Sequence, residues 1–114
     1  MTDRWVTFSK LGDAELVRLA GEIDLANAPE LSREIIQHTG RAGAVLIDLT
    51  AVSFLDSAGV RLLDTLVGDM DHAGTPVRLV VGESGPVRMT LQLCAFRDDL
   101  VTTDLDRAAE ELRG

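Results

Sequence analysis

Apolar and polar positions along the chain change period several times, and each change marks an element. The opening "WVTFSKLGDAELVRLAG" alternates on both sides of Gly12-Asp13, a short-range hairpin signal, and predicts strands from Trp5 to Leu11 and Glu15 to Ala20. In "NAPELSREIIQHTG", Ala28, Leu31 and Ile35 recur at helical spacing. Asn27 followed by Glu30 reads as the start of that helix, with Pro29 in its first turn and Gly40 ending it. "AVLIDL", Ala44 to Leu49, is almost uniformly apolar, the pattern of a strand covered on both faces. "SAGVRLLDTLVGDMDHAG" then sets Val60, Leu63, Val67 and Met70 on one side of a helix. Pro76 to Val81 reads as another buried strand, and Ser84 as the start of a helix whose apolar face holds Val87, Leu91 and Cys94. A short strand is expected near Leu100 to Thr103. After it, Asp104 caps a last helix whose Leu105, Ala108, Ala109 and Leu112 share a face.

Strands joined by a crossover helix run parallel, whereas a hairpin is antiparallel. The order therefore predicts an α/β fold over residues 1–114, in one domain. Its mixed β-sheet of four to five strands carries an N-terminal β-hairpin and packs against about four helices. A length of 114 residues suits one core, and 46% apolar with 26% charged residues excludes a disordered chain.

A formal charge of −8, with Lys10 the only lysine and the arginines scattered singly, excludes a phosphate-binding patch and so a nucleic-acid partner. Cys94 is alone, so no internal disulfide forms and no oxidising compartment is implied. "MTDRWVTFSK" has no signal-peptide pattern, and no apolar run is long enough to cross a bilayer. A cytoplasmic location without membrane insertion is expected.

The chemistry concentrates in "VSFLDSAGVRLL", Val52 to Leu63. Ser57 stands at the mouth of a helix, where its oxygen suits a capping bond to a free backbone N–H. Ala58 is small and Gly59 leaves the backbone uncrowded. Arg61 and Asp64, four and seven residues on, share the Ser57 face, which points away from the apolar stripe and is expected in solvent. A nucleophile role is not supported. There is no Gly-x-Ser-x-Gly elbow, and His38 and His72 read as surface residues near the ends of two different helices. Asp24, Asp48 and Asp56 end strands or begin loops, but their spacing shows no convergence of oxygens on a metal. Asp48 reads as a strand-end acceptor of backbone amides, Asp98-Asp99 as a solvated turn, and Cys94 as a core residue. A phosphorylated receiver domain needs an early acidic pair and a late lysine, the reverse of Asp98-Asp99 and Lys10. No Gly-rich phosphate loop follows a strand. No catalytic residue, metal or cofactor is predicted, and the chain is not read as an enzyme.

"VLIDLTAVSFLDSAGVRLL" resembles the signature of STAS domains, specifically of bacterial anti-sigma factor antagonists. Asp48-Leu49, Val52, Phe54, Leu55, Asp56, Ser57 and Gly59 carry the match, and Gly21, Glu22, Ile23 and Asp24 look like the family's Gly-Glu-[Leu/Ile]-Asp loop. The resemblance implies that the chain binds an anti-sigma factor that is also a serine kinase, and so frees a sigma factor for transcription. It implies that this kinase phosphorylates Ser57, which ends binding, and that a serine phosphatase restores it. ATP would sit on the partner. Asp24, Asp56, Ser57, Ala58, Gly59, Arg61 and Asp64 would form or flank the docking surface. The other role open to a STAS domain is that of accessory subunit in a transporter, a lipid-trafficking complex or a stress-sensing assembly. Two departures stand out: Ala58 replaces a common Ser or Thr, and Ala95 a common Gly that shapes a loop.

Phosphorylation brings roughly two negative charges and three strong acceptor oxygens. A helix N-terminus tolerates such charge, by about 0.3–1 kcal/mol. The modification is therefore expected to act on docking and leave the fold standing.

Overall fold

In the computed structural model, which describes residues 5–113, the hairpin forms as the alternation predicts. Residues 1–4 and 114 of the expected domain lie outside the described ones. Val6–Leu11 (β1) pairs antiparallel with Ala14–Ile23 (β2), from Val6 opposite Leu19 to Leu11 opposite Ala14. Gly12 turns the chain with φ +62°, a value that a side chain would disfavour.

The next elements are Ala28–Thr39 (α1), Val45–Leu55 (β3), Ser57–Ala73 (α2), Val77–Val80 (β4) and Pro86–Leu93 (α3). A 3₁₀ turn at Asp98–Leu100, Val101–Thr102 (β5) and Leu105–Arg113 (α4) complete the chain. The sheet has five strands in the order β1-β2-β3-β4-β5, with β2 to β5 parallel and β1 antiparallel at one edge. The mixed sheet, the hairpin and the four helices all match the expected class.

Two layers of side chains hold it. Val17, Leu19, Val45, Ile47 and Leu79 point to one face, where Leu31 and Ile35 of α1, Leu63 and Leu66 of α2 and Leu91 of α3 meet them. Ala14, Leu16, Ala44, Leu46 and Val80 point to the other, under Ala108 of α4. This two-sided cover is why β3 and β4 read as continuous apolar runs.

The helix expected from Ser84 begins at Pro86, with Gly85 as its N-cap. Four further expectations need correction. First, β3 continues past Leu49 to Leu55. Between Asp48 and Ala51 it sets three residue steps against two in β2, and between Val52 and Phe54 two against one. These bulges break the period-2 signal, so the strand looks finished before it is. Second, Gly21, Glu22 and Ile23 belong to β2 and not to a loop. Third, Cys94 is exposed at the end of α3, because the helix stops at Leu93 before the apolar stripe reaches it. Fourth, Asp48 lies inside β3 and is buried. Its carboxylate accepts from Arg18 Nε at 3.0 Å, from the Thr50 amide at 2.9 Å and from the Thr50 hydroxyl at 2.7 Å. The Thr50 amide is a backbone donor as expected; the arginine, thirty residues away, is visible only in the sheet register.

No helix among the described residues is long and apolar enough to cross a membrane.

Candidate functional site

β4 pairs with β3 only from Val45 to Asp48, so the last part of β3 runs on beside β2 alone. The two strands end together, Ile23 opposite Leu55, and the Asp56 amide donates to the Ile23 carbonyl at 3.3 Å. Asp24 and Asp56 therefore stand side by side at the tip of this pair.

Asp56, and not Ser57, caps α2. Its backbone is extended (φ −100°, ψ −172°), its Oδ1 accepts from the Gly59 amide at 3.0 Å, and its carbonyl accepts from the Val60 amide at 3.0 Å. Both residues are good caps by type, and the extended backbone at Asp56 decides between them. Ser57 is thereby left as the first helical residue. Its side chain is exposed and makes no hydrogen bond to any described residue.

Asp24 closes the opposite loop. Its Oδ1 accepts from the amides of Ala26 at 3.0 Å and Asn27 at 3.3 Å. The expected capping role of Asn27 is not made. Its side chain turns back, accepting from the Asp24 amide at 2.9 Å and donating to the Glu22 carbonyl at 2.8 Å, and ties the end of β2 to the start of α1.

The remaining predicted residues separate by burial. Arg61 and Asp64 are exposed on the Ser57 side of α2, as the helical spacing requires, and Ala58 is half-buried. Gly59 is buried, and the space around it is full rather than uncrowded. A Cβ there would lie 2.4 Å from Leu55 Cδ1 and 3.1 Å from the Ile23 carbonyl oxygen. It brings α2 close onto the strand ends that present Ser57.

Beside Ser57 the first turns of α1 and α2 leave an open groove of 290 Å³, walled by Leu25, Pro29 and Ser32 on one side and Ala58, Arg61 and Thr65 on the other. Among the described residues Arg61 is the one charged residue lining it, and Leu25, at its rim, is 74% exposed. Leu25 was not singled out in the sequence; the signal is an apolar residue in "IDLAN" that belongs to no stripe. His38 and His72 are exposed in the last turns of α1 and α2. His72 is thus roughly 22 Å along α2 from Ser57, at about 1.5 Å per residue. Neither supplies Ser57 with a base, and the Ser57 hydroxyl stands exposed at the start of α2.

Comparison with known proteins identifies the family and the fold. The profile of the STAS domain matches residues 8–109. An anti-sigma factor antagonist from Mycobacterium paratuberculosis is 25% identical with a TM-score of 0.85, over 96% of this chain and 93% of that one. The Bacillus cell fate determinant SpoIIAA in its phosphorylated form is 16% identical with a TM-score of 0.71, over 95% and 99%. The murine anion transporter Slc26a9 is 17% identical with a TM-score of 0.73, but the match covers 92% of this chain and 18% of the transporter. At such identity the last two speak for the fold alone. No curated protein matches the sequence.

Proposed function

The chain belongs to the STAS domain family, and from that membership and the exposed Ser57 we propose that it is an anti-sigma factor antagonist switched by phosphorylation. It acts as a single domain in the cytoplasm. It binds an anti-sigma factor that is also a serine kinase, and so releases a sigma factor. The partner's kinase then modifies Ser57 and a serine phosphatase reverses the step. The chain itself performs no catalysis and needs no cofactor.

The observation that carries this reading is the free hydroxyl of Ser57 at the first position of α2. Because Asp56 makes the capping bond, modification of Ser57 removes no hydrogen bond from the fold. Phosphate at a helix N-terminus is electrostatically tolerated. Docking is different. A partner carboxylate about 5 Å from one added charge, at an effective dielectric near 20, is repelled by roughly 3 kcal/mol. That is about a hundredfold in affinity. Leu25 and Ala58 offer apolar contact beside the hydroxyl, Gly59 seats the helix, and Asp24, Asp56, Arg61 and Asp64 give the surface its charge pattern.

The test is incubation with candidate anti-sigma kinases and ATP, followed by mass spectrometric mapping and a pull-down before and after modification. Phosphate on Ser57 with loss of the captured anti-sigma factor is the expected result. Phosphate elsewhere, or undiminished capture by the phosphoprotein, overturns it. Capture of a membrane transport protein instead would assign the chain to an accessory-subunit role.

A further inference from the structure

Ser57 sits in an acidic neighbourhood. Asp56 precedes it, Asp24 stands beside Asp56 at the end of β2, and Asp64 is exposed two turns along α2. Among the described residues Arg61 is the one cation on this face of α2, and it makes no hydrogen bond or ion pair with any of them. It lies four residues after Ser57 on the same side of the helix. Side chains so spaced have Cβ atoms about 5–6 Å apart, and helical side chains lean toward the N-terminus, which carries the Arg61 guanidinium back toward position 57.

We infer that phosphoserine 57 captures the Arg61 guanidinium, and that this capture removes from the α1–α2 groove the one positive charge that the described residues place there. The inference rests on Ser57 being the modified residue and concerns how modification is read out. With Ser57 unmodified, Arg61 lines a groove otherwise walled by Leu25, Pro29 and Ala58, and is available to a carboxylate on a partner segment. Once a dianion stands one turn above it, the guanidinium has a nearer acceptor with geometry suited to a paired contact. The acid-before-base order at this spacing is also the favoured one. Asp24 and Asp56 repel the phosphate, and beside the N-terminus of α2 itself, Arg61 is the attractive side chain on this face among the described residues. Release of the partner then has two causes acting together: charge repulsion at Ser57 and loss of the arginine that seated its carboxylate.

The experiment installs phosphoserine at position 57 during synthesis, in the otherwise unaltered protein and in Arg61→Gln and Arg61→Lys, and follows the second phosphate ionisation by ³¹P NMR. A paired guanidinium favours the dianion and lowers that pKa. The unaltered protein and Arg61→Lys are expected to titrate about 0.2–0.7 pH units below Arg61→Gln, with the gap closing at high salt. Equal titration of the unaltered phosphoprotein and Arg61→Gln overturns the inference. No kinase is involved, so failure of a partner to phosphorylate Ser57 would defeat the functional reading and leave this result standing.

Discussion

Gly59 shows how much one absent methyl group decides. Alanine there would gain about 1 kcal/mol of helix propensity. Against that gain stands its Cβ, 2.4 Å from Leu55 Cδ1 and 3.1 Å from the Ile23 carbonyl. The leucine tip can turn aside, but the carbonyl is backbone and already holds the Asp56 amide. Overpacking of this kind costs about 1–3 kcal/mol, so Gly59→Ala is expected to lower stability by about 1 kcal/mol and the melting temperature by several degrees. A melting temperature at or above that of the parent would show that the strand ends yield. Ser57 makes the opposite case, since its side chain is exposed and holds no hydrogen bond to a described residue. Ser57→Ala is expected to leave melting unchanged and to keep anti-sigma binding while abolishing phosphorylation. Ser57→Glu is expected to bind at least tenfold more weakly by calorimetry, and equal affinities would refute the charge mechanism. The exposure of Ser57 was legible from helical spacing. The identity of the cap was not, because Asp and Ser are both suited to it and only the backbone angles separate them.

At the scale of elements, the end of α3 is the informative place. The Phe96 amide donates to the Leu91 carbonyl at 2.9 Å and the Ala95 amide to the Gln92 carbonyl at 3.1 Å, while Leu91 and Phe96 are both buried. This is a Schellman closure, and it places Ala95 in the left-handed region at φ +56°, the only non-glycine there among the described residues. A side chain in that conformation costs about 1–2 kcal/mol, against which glycine adds about 0.4–1 kcal/mol of unfolded-state entropy. Ala95→Gly is therefore expected to stabilise the protein by roughly 0.5–1 kcal/mol in urea unfolding, and destabilisation would contradict this account. The sequence departure at Ala95 was visible; that it sets a side chain in the left-handed region was not. Helices α1, α2 and α4 were legible because their apolar stripes depend on neighbours three and four residues away. The second half of β3 was not, because its bulges arise from pairing with β2.

At the scale of the molecule, Asp48 links β2 to β3 from within the sheet. Burial pushes its carboxyl up, but the Thr50 hydroxyl and amide and the Arg18 guanidinium together hold it below the ordinary carboxylate value. A group depressed in the folded state contributes stability that is present above its unfolded pKa, about 3.9, and is lost as pH falls through the folded value. The stability difference between the parent and Asp48→Asn is thus expected to be widest near neutrality and to narrow below about pH 4 in urea titrations. A difference that is constant, or that grows in acid, would contradict the ion pair. The sequence by itself determined the order and type of the elements, the hairpin turn, the face of α2 that meets solvent and the family signature. Each of these follows from residues close together in the chain. Only the tertiary structure decided which aspartate caps α2, that Arg18 meets Asp48, that Gly59 is held against Ile23, and that Leu25 and Arg61 border one groove. Those facts depend on strand register and helix approach, which bring together residues far apart in sequence and leave no local period to read.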